Sequence, residues 1–156
     1  MSGDLINASI HYREMITGDI PAIAKLRAAE WGDYAYWLSR ITKYHLGGQN
    51  PQYALKPRVM FVACIGKNIV GFIAGHLTTR LNCEGELEWI NVRNEYRSRG
   101  VASQLVKLLM KWFAEQHAFM ICVDPGNEGS RIFYKKIGAE NLNEHWMYWK
   151  DIRVVQ

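Results

Sequence analysis

The sequence predicts a mixed α/β domain built on one central, mostly antiparallel sheet of six or seven strands, with helices on both faces. Three observations lead there. Stretches of alternating apolar residues are interspersed with stretches in which apolar residues recur every three to four positions. Two long apolar stretches, 58–65 and 69–81, are separated only by Gly66-Lys67-Asn68, which reads as a hairpin turn. Further on, a strand, a long amphipathic helix and a short apolar strand succeed one another, and such a crossover makes a parallel pair inside an otherwise antiparallel sheet.

Taken in order, residues 9–14 read as a first strand, with Ile10 and Tyr12 on one face. Thr17-Gly18-Asp19 offers a turn and an N-cap, and Ile20, Ile23, Ala24 and Arg27 follow at helical spacing, giving a helix over 19–30. Asp33 caps a second helix that carries Trp37, Leu38, Ile41 and Tyr44 on one side and stops near Gly47-Gly48. Pro51 and Pro57 keep the next stretch extended. The hairpin 58–65 and 69–81 comes next, then a strand over 85–92. A helix over 100–116 buries Leu105, Val106, Leu109, Trp112 and Phe113. Residues 119–123 form a short strand, 129–137 a helix closed by Gly138, and 146–152 a last strand, with a further short one near Asn141.

One domain accounts for residues 1–156, a length that buries about two-thirds of the unfolded surface. With 49% hydrophobic and 22% charged residues, the chain is neither disordered nor fibrous. Its longest apolar run, 60–65, is far short of the roughly 20 residues a membrane span needs. The first residues contain no apolar core of a secretory signal. Cys64, Cys83 and Cys122 are odd in number and widely spaced, which suits a reducing cytoplasm rather than a disulfide framework. The net charge of +4 admits nucleic acid, an anionic surface or an acidic cofactor as partner, beside ordinary surface charge.

The most informative stretch runs from Val92 to Ser103, between a strand and the start of the long helix. Gly100 and Ala102 remove side chains where the backbone enters that helix. The first helical N–H groups have no partner within the helix, and the helix dipole adds partial positive charge, so an anion is favoured there. Arg97 and Arg99 bring fork-shaped donors alongside. The chemistry indicated is phosphate or pyrophosphate binding. The plainer alternative is a tight strand-to-helix turn flanked by two exposed arginines. Neither a P-loop nor a G-x-G-x-x-G dinucleotide fingerprint is present.

Arg97-x-x-Gly100-x-Ala102 resembles the [QR]-x-x-G-x-[GA] signature of the GNAT superfamily of acyl-CoA-dependent N-acetyltransferases. Downstream, Asn127-x-x-Ser130-x-x-Phe133-Tyr134-x-x-x-Gly138-Ala139 is similar to that family's second motif, and one helix and one short strand separate the two. The resemblance is sharp over 86–139 and architectural elsewhere. Asn94 stands where the family often has proline, Ala102 replaces its second glycine, and Ala139 replaces a common phenylalanine.

The resemblance implies a sheet splayed open between the strand ending at Val92 and the strand 119–123, with acetyl-CoA in the opening and no metal. Main-chain groups of Ile90 and Val92 would pair with pantetheine, and the Val92 N–H would face the thioester carbonyl. The N–H groups of Arg99, Gly100, Val101, Ala102 and Ser103 would hold the pyrophosphate. Asn127 would bond the pantetheine arm, and Arg131 and Lys135 would either approach the adenosine or belong to a solvated helix face. The implied reaction is direct acetyl transfer to a primary amine.

That chemistry needs a neutral amine, an oxyanion donor and a proton for the leaving thiolate. Tyr134, at the tyrosine position of the second motif, is the implied acid. For the base, Glu84, Glu86 and Glu88 alternate on one strand face, which either meets solvent or lines an amine-accepting cleft. The histone-acetyltransferase branch places its base eleven residues before the [QR]-x-x-G motif, which lands on Glu86; Glu88 ranks second, and Asp124 is a weaker alternative. Trp31, Tyr34, Tyr36 and Trp37 either contact a cationic acceptor or pack in the core, with the core favoured for both tryptophans. Trp146, Tyr148 and Trp149 read as strand packing or a homodimer surface. The five histidines show no metal-ligand spacing and receive no role.

Two rival functions stand beside this one. A non-catalytic acyl-CoA-binding sensor would need the same turn without the acid and base. A nucleic-acid binder would need an aromatic RNA motif or a recognition helix, and neither is apparent. The acceptor, whether a small molecule or a peptide amine, stays open.

Overall fold

The computed structural model describes residues 9–154. The expectation about a secretory signal therefore falls mostly outside the described residues. Seven strands form one sheet in the order β1-β2-β3-β4-β5-β7-β6. They are β1 (His11–Glu14), β2 (Ala54–Ile65), β3 (Asn68–Thr78), β4 (Gly85–Val92), β5 (Ile121–Val123), β6 (Glu140–Asn141) and β7 (Met147–Trp149). The helices are α1 (Ile20–Trp31), α2 (Tyr34–Leu46), α3 (Val101–Glu115) and α4 (Glu128–Lys136). Only β4 and β5 pair in parallel, because α3 crosses over between them; every other pair is antiparallel.

Local chemistry sets most of the element ends. Asp33 caps α2 by accepting from the Tyr36 N–H at 3.0 Å, and Gly47 closes that helix in the left-handed region. Asp19 sits at the head of α1, but its carboxylate is held by the Arg13 fork at 2.7 and 3.0 Å and by the Ile16 N–H at 2.9 Å, so it does not cap the helix. Where the sequence predicts a strand running to Leu81, β3 ends at Thr78. A helical turn over Arg80–Asn82, with Leu81 and Asn82 at positive φ, swings the chain back into β4. The strand expected over 119–123 is shorter, because Glu84 Oε1 accepts from the N–H groups of Phe119 and Met120 at 2.8 and 3.2 Å. The last strand, expected over 146–152, is likewise reduced to Met147–Trp149.

Each sheet face has its own core. On one, Leu105, Leu109 and Phe113 of α3 pack on Ile73, Leu87 and Ile121. On the other, Ile23 of α1 and Ile41 and Tyr44 of α2 pack on Met60, Phe72 and Trp89. Gly85 is obligatory where α3 crosses the sheet, since a Cβ there would lie 2.5 Å from the Phe113 ring.

Two irregularities in β4 shape the functional region. Ala74 opposes Trp89 and Gly75 opposes Leu87, so Glu88 is the extra residue of a β-bulge. The bulge breaks strict alternation: Leu87 joins the α3 core, while Trp89, two residues on, joins the α1–α2 core. Pairing of β4 with β5 ends at Leu87 opposite Val123. From Glu88 to Val92 that edge of β4 has no neighbouring strand among the described residues, and the sheet opens there.

Candidate active site

Two cavities meet at the opening. One, of about 620 Å³, is walled by the end of β4, the turn after it, and the starts of α3 and α4. The other, of about 530 Å³, lies between α1, α2, β4 and the 124–126 and 145–146 loops. Glu30, Ile90, Ser130 and Tyr134 line both.

The first cavity brings together Ile90, Val92, Arg97, Gly100, Val101, Ala102, Ser103, Asn127 and Tyr134, as the sequence expected; Arg99 does not line it. Gly100 stands at φ +80°, a conformation only glycine adopts without strain, and the position of its absent Cβ faces open space. The Gln104 N–H to Gly100 carbonyl bond, 3.0 Å, starts the α3 ladder. Among the described residues no side-chain cap bonds the start of this helix, at the amides of Val101, Ala102 and Ser103. These N–H groups and the dipole of a 15-residue helix make a cradle for an anion.

Three side chains at this end have partners within the fold. The Arg97 guanidinium donates to the Val92 carbonyl and to Glu30, so it braces the turn. Asn127 spends its Oδ1 on capping α4 through the Ser130 N–H at 2.8 Å, and its Nδ2 is the donor that remains. Arg131 bonds Asn141 Oδ1 and the His145 carbonyl, tying α4 to β6 and the loop before β7.

The second cavity holds the carboxylates. Glu86 is 4% exposed; its Oε1 accepts from Arg80 Nε at 3.0 Å and lies 3.4 Å from His76 Nε2. His76 is wholly buried opposite Glu86, and its Nδ1 meets the Tyr44 hydroxyl at 3.0 Å. One ligand atom each from His76, Glu86 and Glu88 falls within 4.8 Å of the others, and Arg80 supplies positive charge beside them. Glu88, on the bulge, has no hydrogen-bond partner among the described residues. Burial, and next the Glu86 charge, push its carboxyl up to about 7. Glu84 does not join this face, its carboxylate being taken by β5 amides. Asp124 pairs with His145 Nε2 at 3.0 Å.

Tyr134 is 3% exposed and stands where the cavities join, its ring edge-on to Trp149 at 5.8 Å. No protein hydrogen bond holds its hydroxyl among the described residues, and burial pushes the phenol well above its ordinary value. Trp37 packs with the α1–α2 core, but Trp31, favoured for the core by the sequence, is 44% exposed at the cavity rim. Trp146 precedes β7 and stacks on Arg80, 4.6 Å from guanidinium to ring, while Trp149 is buried packing. Sequence reasoning gave no role to His76, Arg40 or Arg80. The only signal available was that His76 falls on a strand one hairpin away from Glu86.

A seven-stranded sheet opened beside its one parallel pair, with an uncapped helix start on one side and a carboxylate cleft on the other, defines a coenzyme-binding acyltransferase fold. The sequence profile described as the Acetyltransferase (GNAT) family matches residues 21–139, and the chain belongs to that family. Comparison with curated proteins gives no significant match. Among solved structures, an aminoglycoside 6′-N-acetyltransferase complexed with coenzyme A superposes with a TM-score of 0.71 at 15% identity, covering 88% of this chain and 95% of that one. The PaiA N-acetyltransferase of Thermoplasma acidophilum, in complex with coenzyme A, gives 0.67 at 14%, covering 91% and 99%. The NatC complex bound to Gag peptide and CoA gives 0.64 at 18%, covering 90% and 95%. At these identities the likeness is one of fold. Among the described residues no helix is long and apolar enough to cross a membrane.

Proposed function

We propose that the protein moves an acetyl group from acetyl-CoA directly to the amine of a small acceptor. The observation that carries this reading is the meeting of the two cavities at Ile90, Ser130 and Tyr134. A coenzyme entering from the anion cradle and an amine entering from the carboxylate cleft would meet at that point. The pyrophosphate fits the open backbone at Gly100 and the amides of Val101, Ala102 and Ser103. The unpaired edge of β4 at Ile90 and Val92 offers main-chain groups to pantetheine, and Asn127 Nδ2 offers a further donor.

The amine must lose a proton before it attacks. Glu86 is committed to Arg80, whereas Glu88 lines the cleft without a partner and is poised near 7, the range in which a general base is most effective. Glu88 is therefore the base, and Glu86 a positioning residue. The ammonium first gives one proton to Glu88, which releases it to solvent; nitrogen then bonds to the acetyl carbon, the carbon–sulfur bond breaks, the second proton lost from nitrogen goes to Glu88, and the sulfur leaves as thiolate. The raised phenol of Tyr134 stays protonated throughout and donates a hydrogen bond to that sulfur.

The test is thiol release from acetyl-CoA with a panel of primary amines, run beside calorimetric titration of coenzyme. Turnover with at least one amine supports the transferase. Tight coenzyme binding with no active amine supports the non-catalytic sensor instead.

A further inference from the structure

We propose that the acceptor is a small zwitterion, an amine that also carries a carboxylate, with Arg40 receiving the carboxylate and Glu88 the amine. This rests on the transferase reading above and narrows it to a substrate class.

The argument is an accounting of the charged groups in the second cavity. Arg80 donates to Glu86 and to the Gln52 carbonyl. Arg27 donates to Asn91 Oδ1 and lies over the Trp31 and Trp37 rings. Glu30 accepts from Arg97 and Asn91, and Asp124 from His145 and the Gly126 N–H. Two groups are left over, one of each sign. Arg40 donates no hydrogen bond and Glu88 accepts none among the described residues, and the two charges act on each other across the cavity without a direct bond. A ligand bearing one positive and one negative group matches that remainder; a polyamine or a neutral amine leaves the Arg40 fork without a hydrogen-bond acceptor.

Buried donors point the same way. Three buried side-chain polar atoms lack a partner among the described residues: Arg40 Nη1, Arg27 Nε and His76 Nε2. Two belong to arginines of this cavity, and the third adjoins Glu86 on its wall. Native interiors pair nearly all such atoms, so the walls of this cavity carry donors that the fold itself leaves unanswered. Arg40 is also oriented: its guanidinium lies 5.5 Å over the Trp89 ring, which restrains the plane of the fork. A planar fork held in place suits a carboxylate, which it binds through two parallel N–H···O bonds. At about 530 Å³ the cavity has the size of a small-molecule site.

The experiment compares a panel of L-amino acids with their C-terminal amides on the CoA-loaded protein, following tryptophan fluorescence for binding and thiol release from acetyl-CoA for turnover. At least one amino acid is expected to bind about 10-fold or more tightly than its own amide. Arg40→Gln should remove that preference, so that acid and amide bind alike. Arg40→Lys, which keeps the charge and loses the fork, should retain part of it and serves if the glutamine variant fails to fold. Equal binding of acid and amide across the panel, no binding of any amino acid, or a preference undiminished in either Arg40 variant overturns the inference. Amino acids that bind selectively without being acetylated would keep it and overturn the transferase reading. Efficient turnover of amines lacking a carboxylate would do the reverse.

Discussion

Arg97 Nε donates to the Val92 carbonyl at 3.1 Å, so the arginine that opens the phosphate turn is bonded to the last residue of the strand before it. Its Nη2 continues to Glu30 Oε1 at 3.0 Å, joining α1 to the same turn. The guanidinium thus ties the turn after β4 to the end of that strand and to α1. Arg97→Gln is expected to lower acetyl-CoA affinity several-fold and stability by about 1 kcal/mol, since one hydrogen bond and one half-exposed ion pair are lost. The discriminating measurement is affinity against salt. A brace leaves the salt dependence as in the wild type, whereas loss of a phosphate contact would flatten it.

Gly100 separates backbone strain from ligand contact. Asparagine tolerates positive φ better than other side chains, so Gly100→Asn should cost only about 1 kcal/mol in chemical denaturation. Its side chain would project into the open space of the cradle. Calorimetry should show acetyl-CoA affinity reduced by a factor of about 10 or more, a loss far out of proportion to the change in stability. Undiminished affinity would remove the cradle from the coenzyme site.

The buried pair of Tyr44 and His76 makes a prediction about stability alone. Tyr44→Phe keeps the ring packed against Trp89 and deletes the hydroxyl that meets His76 Nδ1. With both residues wholly buried, no water replaces the lost partner, and the expected cost is about 1–3 kcal/mol in urea unfolding. A neutral result would mean that the imidazole finds another partner.

What the sequence disclosed was mainly local. Asp33 and Gly47 announced the ends of α2 because capping depends on a few adjacent residues. Gly100 and Ala102 announced the anion cradle because small residues at a strand-to-helix junction have a local steric purpose. What stayed hidden depended on pairing across the sheet. The bulge at Glu88 exists only in the register of β4 against β3. Simple alternation also put Glu84 with Glu86 and Glu88, whereas Glu84 precedes β4 and turns to the amides of Phe119 and Met120. Trp146 and Arg80 meet across 66 positions of chain, and Arg40 comes to the cleft from α2; no pattern within a short window reports such neighbours.

Glu88 carries a pH prediction in two parts. Burial, with Glu86 beside it, raises the folded carboxyl from 4.5 to about 7. A raised acid holds its proton more tightly when folded, so ionising it opposes folding. The penalty is absent below the unfolded value of 4.5, grows between 4.5 and about 7, and is complete above. Glu88→Gln should therefore stabilise the protein at pH 8, by on the order of 3 kcal/mol, and leave it unchanged near pH 4. Activity should run the opposite way. The wild-type rate should climb through pH 7 as the base ionises, and the variant should lose that rise, its defect shrinking only as the pH nears the amine's own pKa. A stabilised variant with an unaltered pH–rate profile would move the base elsewhere.

Tyr134→Phe isolates the step at sulfur. The ring stays against Trp149 and Phe133, so folding should change little. The hydroxyl has no protein partner to lose among the described residues, and a thioester sulfur is a weak acceptor in the ground state. Coenzyme affinity should accordingly fall less than about 2-fold. The hydroxyl matters once charge gathers on sulfur, so the loss belongs in kcat. Full general acid catalysis contributes about 10²–10⁴-fold. Because burial raises the phenol well above a thiol, Tyr134 gives a hydrogen bond more readily than a proton, and the expected drop is smaller, about 10–100-fold in kcat. Measuring kcat and coenzyme affinity for both proteins on one active amine decides it. An unchanged kcat would leave water to protonate the thiolate, and a parallel loss of affinity would make Tyr134 a wall of the coenzyme site rather than its acid.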